Sequence, residues 1–158
     1  MKKIKMIILI VFVLLNLTAC SKEKTSIVIN YGEVEQTIES EIIYNNADAI
    51  IFPAVVRSSG EKPVETEYKG IELTKLLSSL NIDISKSDKI TISASDGYRI
   101  ILDIEEIEEP SNVYLTFDMD GELLKSKKQG GNGPFQLVIR RDPFSQRWVK
   151  HVNKISIE

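Results

Sequence analysis

The chain has one cysteine, one histidine and one tryptophan in 158 residues. A lone cysteine rules out an internal disulfide and any zinc site built on cysteine pairs. A lone histidine, His151, rules out zinc held by histidines. A haem would need a further axial ligand beside it, with Met119 the candidate, or an open position. His151 reads instead as a partly buried residue on a closing strand. There is no internal repeat and no low-complexity tract. No Gly-rich phosphate loop, nucleophile elbow or Ser-His-Asp spacing stands out. The acidic balance (net charge −3) and the lack of interleaved basic and aromatic residues argue against a nucleic-acid partner. Core packing must therefore hold the domain together.

What is present begins at the N-terminus, MKKIKMIILIVFVLLNLTAC. Lys2, Lys3 and Lys5 make a positive start, Met6 to Leu15 form an unbroken apolar run, and Leu17, Thr18 and Ala19 give a small-residue cleavage site. This is the three-part layout of a secretory signal. The run is too short for an ordinary spanning helix, which needs about 20 residues. Leu-Thr-Ala-Cys resembles the bacterial lipoprotein box. The resemblance implies that residues 1–19 are removed and that Cys20 carries a diacylglyceryl group on its sulfur. Two acyl chains anchor stably where one is marginal. The expectation is a lipoprotein on the extracytoplasmic face of the cell membrane. Residues 20–26 would form a short tether and residues 27–158 the domain. The mature chain has 139 residues, and losing the three signal lysines takes the net charge from −3 to −6.

Along the mature chain, Ile27–Ile29 and Val34–Ile38 read as strands around a Tyr31-Gly32-Glu33 turn, and Ala54–Val56 as a third. Residues 41–51 give no firm assignment. Ser58 to Pro63 is a loop by its turn residues. Leu73, Leu76, Leu77 and Leu80 make one apolar stripe of a short helix. KITISASDGYRIILDI reads as a hairpin turning at Asp96-Gly97. Asp103 and Glu106 form a candidate capping box for a helix bounded by Pro110. Val113, Leu115 and Phe117 alternate before an Asp120-Gly121 turn, where the Asp118–Glu122 carboxylates lack EF-hand spacing. Gly130 to Pro134 is a loop. Phe135–Ile139 and Val149–Ile157 read as closing strands. Glu105, Glu106, Glu108 and Glu109 read as a solvated helix face. The expected fold class is α+β, mostly β, with a mixed or antiparallel sheet and short helices.

The order YKGIELTKLL, ITISASDGYRIILDIEEI, VYLTFDMDGELL, GGNGPFQLVI and RWVKHVNKISI resembles the molybdopterin-binding domain of the sulfite oxidase-like family, in its small stand-alone form. The resemblance covers Tyr68 to Ile157 well and the rest of the domain loosely. It implies that Tyr68, Gly70, Ile71, Leu73, Leu76 and Leu77 open a helix beside the cofactor cleft. It also implies that the region of Lys150 lies near the pterin in full-size relatives. Catalytic members hold molybdenum through a cysteine upstream of Tyr68, and PAVVRSSGEKPVETEYKG has none. Ser58 and Ser59 are poor substitutes, because so soft a centre selects thiolate. The signal also lacks the twin arginines that export of a loaded cofactor enzyme uses. No cofactor is therefore expected, molybdopterin being the alternative.

RRDPFSQRWVKH is the densest basic stretch. Arg140, Arg141, Arg147 and Lys150 beside Trp148, with the Gly130-Gly131 loop, make a candidate pocket for an anionic ligand, the guanidiniums forking onto phosphate or carboxylate. A solvated hairpin is the plainer reading of the same residues. On a strand, Trp148 and Lys150 would share one face. The expected function is a non-catalytic ligand-binding or accessory module. The alternatives are an oxidoreductase holding a cofactor without the cysteine, and a docking protein of a membrane complex.

Overall fold

Ten strands and three short helices make up the computed structural model, which describes residues 25–158. The expected signal (1–19), Cys20 and most of the expected tether lie outside the described residues. In chain order the elements are β1 (Ser26–Tyr31), β2 (Val34–Glu39), α1 (Ser40–Tyr44), β3 (Ile50–Val56), β4 (Val64–Glu72) and α2 (Leu73–Ser79). Then come β5 (Lys89–Ala94), β6 (Arg99–Asp103), α3 (Ile104–Glu108), β7 (Val113–Met119), β8 (Glu122–Leu123), β9 (Gln136–Ile139) and β10 (Val152–Ile157). The fold is α+β and mostly β. β1 takes in Ser26, one residue before the expected start of the domain at Ile27.

One sheet has the order β2-β1-β10-β5-β6. It is mixed, because β1 runs parallel to β10 while its other pairs are antiparallel. Its strands alternate as the sequence predicts. Ile27, Ile29, Ile90, Ile92, Leu102 and Ile155 are buried, with more exposed neighbours between them. The second sheet has the order β3-β4-β7-β8 and is antiparallel. β9 pairs with β7 beside Val113 to Thr116, while β8 pairs at Asp118 and Met119. The two share the length of β7. From Val113 to Phe117 every residue of β7 is buried, so the expected inside–outside alternation gives way to burial on both faces.

The leucine stripe forms α2, with Leu73, Leu76 and Leu77 at most 1% exposed. Each contributes about 1.5–3 kcal/mol of apolar burial. Tyr68 and Gly70 lie on β4 rather than opening the helix. Gly70 is needed there because a Cβ would come within 2.5 Å of the Leu115 carbonyl oxygen on β7. The unassigned residues 41–51 hold most of α1 and the start of β3. Asp103 precedes α3 but its side chain makes no capping bond, so the expected capping box is absent. The carboxylate of Glu106 is instead committed to Arg147.

The closing strand is shorter than predicted. β10 begins at Val152, and His151 adopts a left-handed φ of +56° just before it. Residues 148–151 cross between the sheets. Leu137 on β9 donates to the Val149 carbonyl (2.8 Å), and Val152 donates to that of Phe135 (2.9 Å). Among the described residues, no helix is long and apolar enough to cross a membrane.

Candidate functional site

The crossing segment forms one wall of a cleft of about 350 Å³. β4 supplies Val64, Thr66 and Tyr68, β7 supplies Met119, and β9 supplies Gln136. Val56 and Ser58 come from the end of β3 and the loop after it, and Asn132 from the Gly-rich loop. Ser145, Trp148 and Lys150 complete the lining.

Trp148 is fixed rather than free. Its indole Nε1 donates to the Ile139 carbonyl at 2.9 Å, and it meets Tyr68 edge-to-face with ring centroids 6.0 Å apart. Tyr68 is backed by Phe52, which packs on Tyr114 with centroids 4.0 Å apart. The aromatic wall therefore runs into the core and leaves little rotamer freedom. Burial pushes the Tyr68 phenol up to about 12, and the nearby Asp120 carboxylate adds to the rise. Its hydroxyl stays protonated at neutral pH and makes no hydrogen bond among the described residues.

Two polar groups are left open. Gln136 is 3% exposed, and its Oε1 is buried without a partner among the described residues. An unmatched buried acceptor costs about 1–3 kcal/mol, a cost that a donor brought within reach of it would offset. Lys150 is the one charged residue lining the cleft, and its ammonium makes no ion pair among the described residues. Trp148 and Lys150 thus meet in one cleft, although not as neighbours on a strand face.

The other basic residues go elsewhere. Arg147 lies in a 3₁₀ turn, Ser145–Arg147, clamped between two carboxylates. Its Nε donates to Asp142 Oδ2 at 3.0 Å, its Nη1 to Glu106 Oε2 at 3.1 Å, and its Nη2 to both residues. The hydrogen bonds it donates to Glu106 and then to Asp142 push its already high pKa further up. The guanidinium is neutralised and does not line the cleft. Arg140 and Arg141 line a separate depression beside β3. Gly130 and Gly131 line an adjoining groove that shares Met119 and Asn132 with the cleft. One basic stretch in sequence is thus divided among three places.

His151 explains how the glycine loop is held. Its backbone N–H donates to the Asn132 carbonyl (2.8 Å), and its Nδ1 donates to the Gly133 carbonyl (3.0 Å). A carbonyl can only accept, so the Nδ1 proton follows from the geometry. The residue is buried and structural. The Asp118 carboxylate likewise serves its turn, accepting from the Gly121 N–H at 3.1 Å. Among the described residues, no cluster of His, Cys, Asp and Glu could hold a metal ion.

Sequence reasoning missed Gln136 and Thr66, and placed Met119 and Asn132 only as a haem-ligand candidate and a loop residue. Gln136 had a readable signal, since it is the one polar residue in the run Phe135 to Ile139. The others come together only through the fold.

A profile of the oxidoreductase molybdopterin binding domain matches residues 34–158. Among solved structures, the sulfane dehydrogenase SoxCD from Paracoccus pantotrophus is similar, with a TM-score of 0.66 and 18% identity. The match covers 84% of this chain and 38% of that one, so the chain spans well under half of that structure. No curated protein matches the sequence. The profile implies a molybdopterin, and the cleft's donor set does not fit its molybdenum. The lining offers amides, hydroxyls, one ammonium and the neutral Met119 thioether, but no thiolate. In the stretch where catalytic relatives carry the cysteine, Ser58 faces the cleft.

Proposed function

The chain belongs to the oxidoreductase molybdopterin binding domain family, and from that premise we propose a non-catalytic ligand-binding or accessory module. A lipid on Cys20 tethers it to the extracytoplasmic face of the cell membrane. The observation that carries the reading is the cleft itself, with its unmatched buried acceptor on Gln136, its unpaired Lys150 and no thiolate. Its ligand is a small anionic organic molecule. A donor group on that molecule meets Gln136, and its negative charge lies toward Lys150. Trp148 and Tyr68 supply the apolar wall.

A second reading, an oxidoreductase that keeps molybdopterin without the cysteine, draws support from the family match, which spans every residue of the cleft. Native mass spectrometry with elemental analysis separates the two, using full-length protein from its own cells' membranes. The expected result is a bound organic mass without metal, lost on Lys150→Ala. Stoichiometric molybdenum would establish the oxidoreductase instead. A folded protein with nothing bound would overturn both and favour docking on a membrane complex.

A further inference from the structure

We propose that the depression beside β3 is a second site, for a dianionic phosphate group, independent of the cleft. It measures about 300 Å³ and is lined by Arg57, Arg140 and Arg141 together with Pro53, Ala54, Val55 and Ser111. Pro53, Val55 and Arg57 alternate along one side of β3 and its extension, with Ala54 between them. Val56 and Ser58 line the cleft, and the two sites share no lining residue.

How the three guanidiniums are held decides what the depression can bind. Arg140 is fixed by neutral groups. Its Nε donates to the Pro53 carbonyl and its Nη1 to the Ser111 carbonyl, both at 3.2 Å, and the guanidinium sits 5.5 Å over the Phe52 ring. Carbonyls and a ring orient the fork without cancelling its charge. Arg57 is positioned through its backbone, which exchanges hydrogen bonds with Ser145: N–H to Oγ at 2.9 Å, and carbonyl from N–H at 3.1 Å. Its side chain makes no hydrogen bond or ion pair among the described residues. Arg141 is the compensated member, paired with Glu109 and donating to the Pro110 carbonyl at 3.3 Å. No carboxylate lines the depression.

Arg147, six residues after Arg141, is the contrast, since two acids neutralise it. Two uncompensated positive charges remain beside β3 in a chain whose net charge is −3. They match a phosphomonoester, which carries about −1.5 to −2 at pH 7, better than a single carboxylate. The guanidinium fork suits phosphate oxygens in particular. The phosphate can belong to a soluble molecule or to a lipid headgroup.

Arginine side-chain NMR of the full chain in phosphatidylcholine nanodiscs tests this. With inorganic phosphate as probe, the Nε–H signals of Arg57 and Arg140 are expected to move saturably, and that of Arg147 to stay. Chloride at equal ionic strength should move none of them. Arg57→Gln is the variant of choice, because its side chain holds no other part of the fold. It should weaken phosphate binding roughly tenfold or more with the melting temperature unchanged. If the signals move only in nanodiscs containing phosphatidic acid, the site stands and the headgroup is its source. No saturable movement with either probe, or unaltered affinity in Arg57→Gln, overturns the proposal. Lys150→Ala leaves this titration untouched, so failure here is separate from failure of the cleft reading.

Discussion

Arg147 and Lys150 are three positions apart and do opposite work. The Asp142 side chain is 6% exposed and depends on Arg147 for its counter-charge. Removing the guanidinium leaves a nearly buried carboxylate unpaired. Because the Arg147 side chain is itself 44% exposed, water offsets part of the loss. Arg147→Ala is expected to cost about 1–3 kcal/mol of stability, read as a lower urea midpoint, with ligand affinity of the remaining folded protein unchanged. Lys150→Ala should do the reverse. Equal stability of Arg147→Ala and wild type would refute the clamp. Tyr68 gives a second check at this scale. Its folded pKa of about 12 lies above the ordinary value of 10.0. Folding therefore favours the protonated phenol, and the stability from that preference is complete below pH 10 and lost as pH rises towards 12. Burial raises Tyr44 as well, so ultraviolet titration should show more than one tyrosine ionising late, and Tyr68→Phe should remove the last of these steps. A last step unchanged in Tyr68→Phe would assign it to another tyrosine.

Elements with a simple period were legible in the sequence. The leucine stripe is α2, the Asp-Gly pairs mark the turns after β5 and β7, and the isoleucine alternation gives β5 and β6. At Asp96-Gly97 the loop is longer than a two-residue turn. Ser95 to Tyr98 connect the strands, and Gly97 alone has a positive φ, of +90°. Where a segment answers to tertiary contacts, local pattern misleads. Residues 148–151 carry a plausible strand sequence, yet Trp148 follows the Ile139 carbonyl and His151 follows Gly133. Those partners lie 9 and 18 residues away, so no window on the sequence contains the reason. The basic stretch misled for the same cause. Adjacent charges suggested one pocket, but Asn112 draws Arg141 towards the end of α3, its Oδ1 accepting from the Arg141 N–H at 3.1 Å. Glu106 and Asp142 take Arg147. The cleft was half legible. Its thiol deficit, Trp148 and Lys150 could be read directly, whereas Gln136 and Asn132 needed β9 and the glycine loop to be in place.

At the scale of the whole molecule, charge and anchoring bear on each other. The mature chain expected from the sequence has a net charge of −6 and would be repelled by an anionic leaflet. Such a molecule has no broad electrostatic hold on a membrane, so the proposed tether rests on the hydrophobic term alone. At about 0.8 kcal/mol for each buried CH₂, two acyl chains outweigh any such repulsion. From Cys20 to Ser26 the backbone can reach at most about 20 Å, and Ser26 already belongs to β1. The domain would then stay within one short tether of the headgroups. The expected outcome is membrane retention that persists at high salt, where a charge-based association would dissolve. Mass spectrometry of the N-terminal peptide should find it beginning at Cys20 with two acyl chains on a diacylglyceryl group. Cys20→Ser should incorporate no labelled palmitate. An unmodified Cys20, or release from membranes by salt, would remove the anchor while leaving the cleft and the arginine depression to be judged on their own tests.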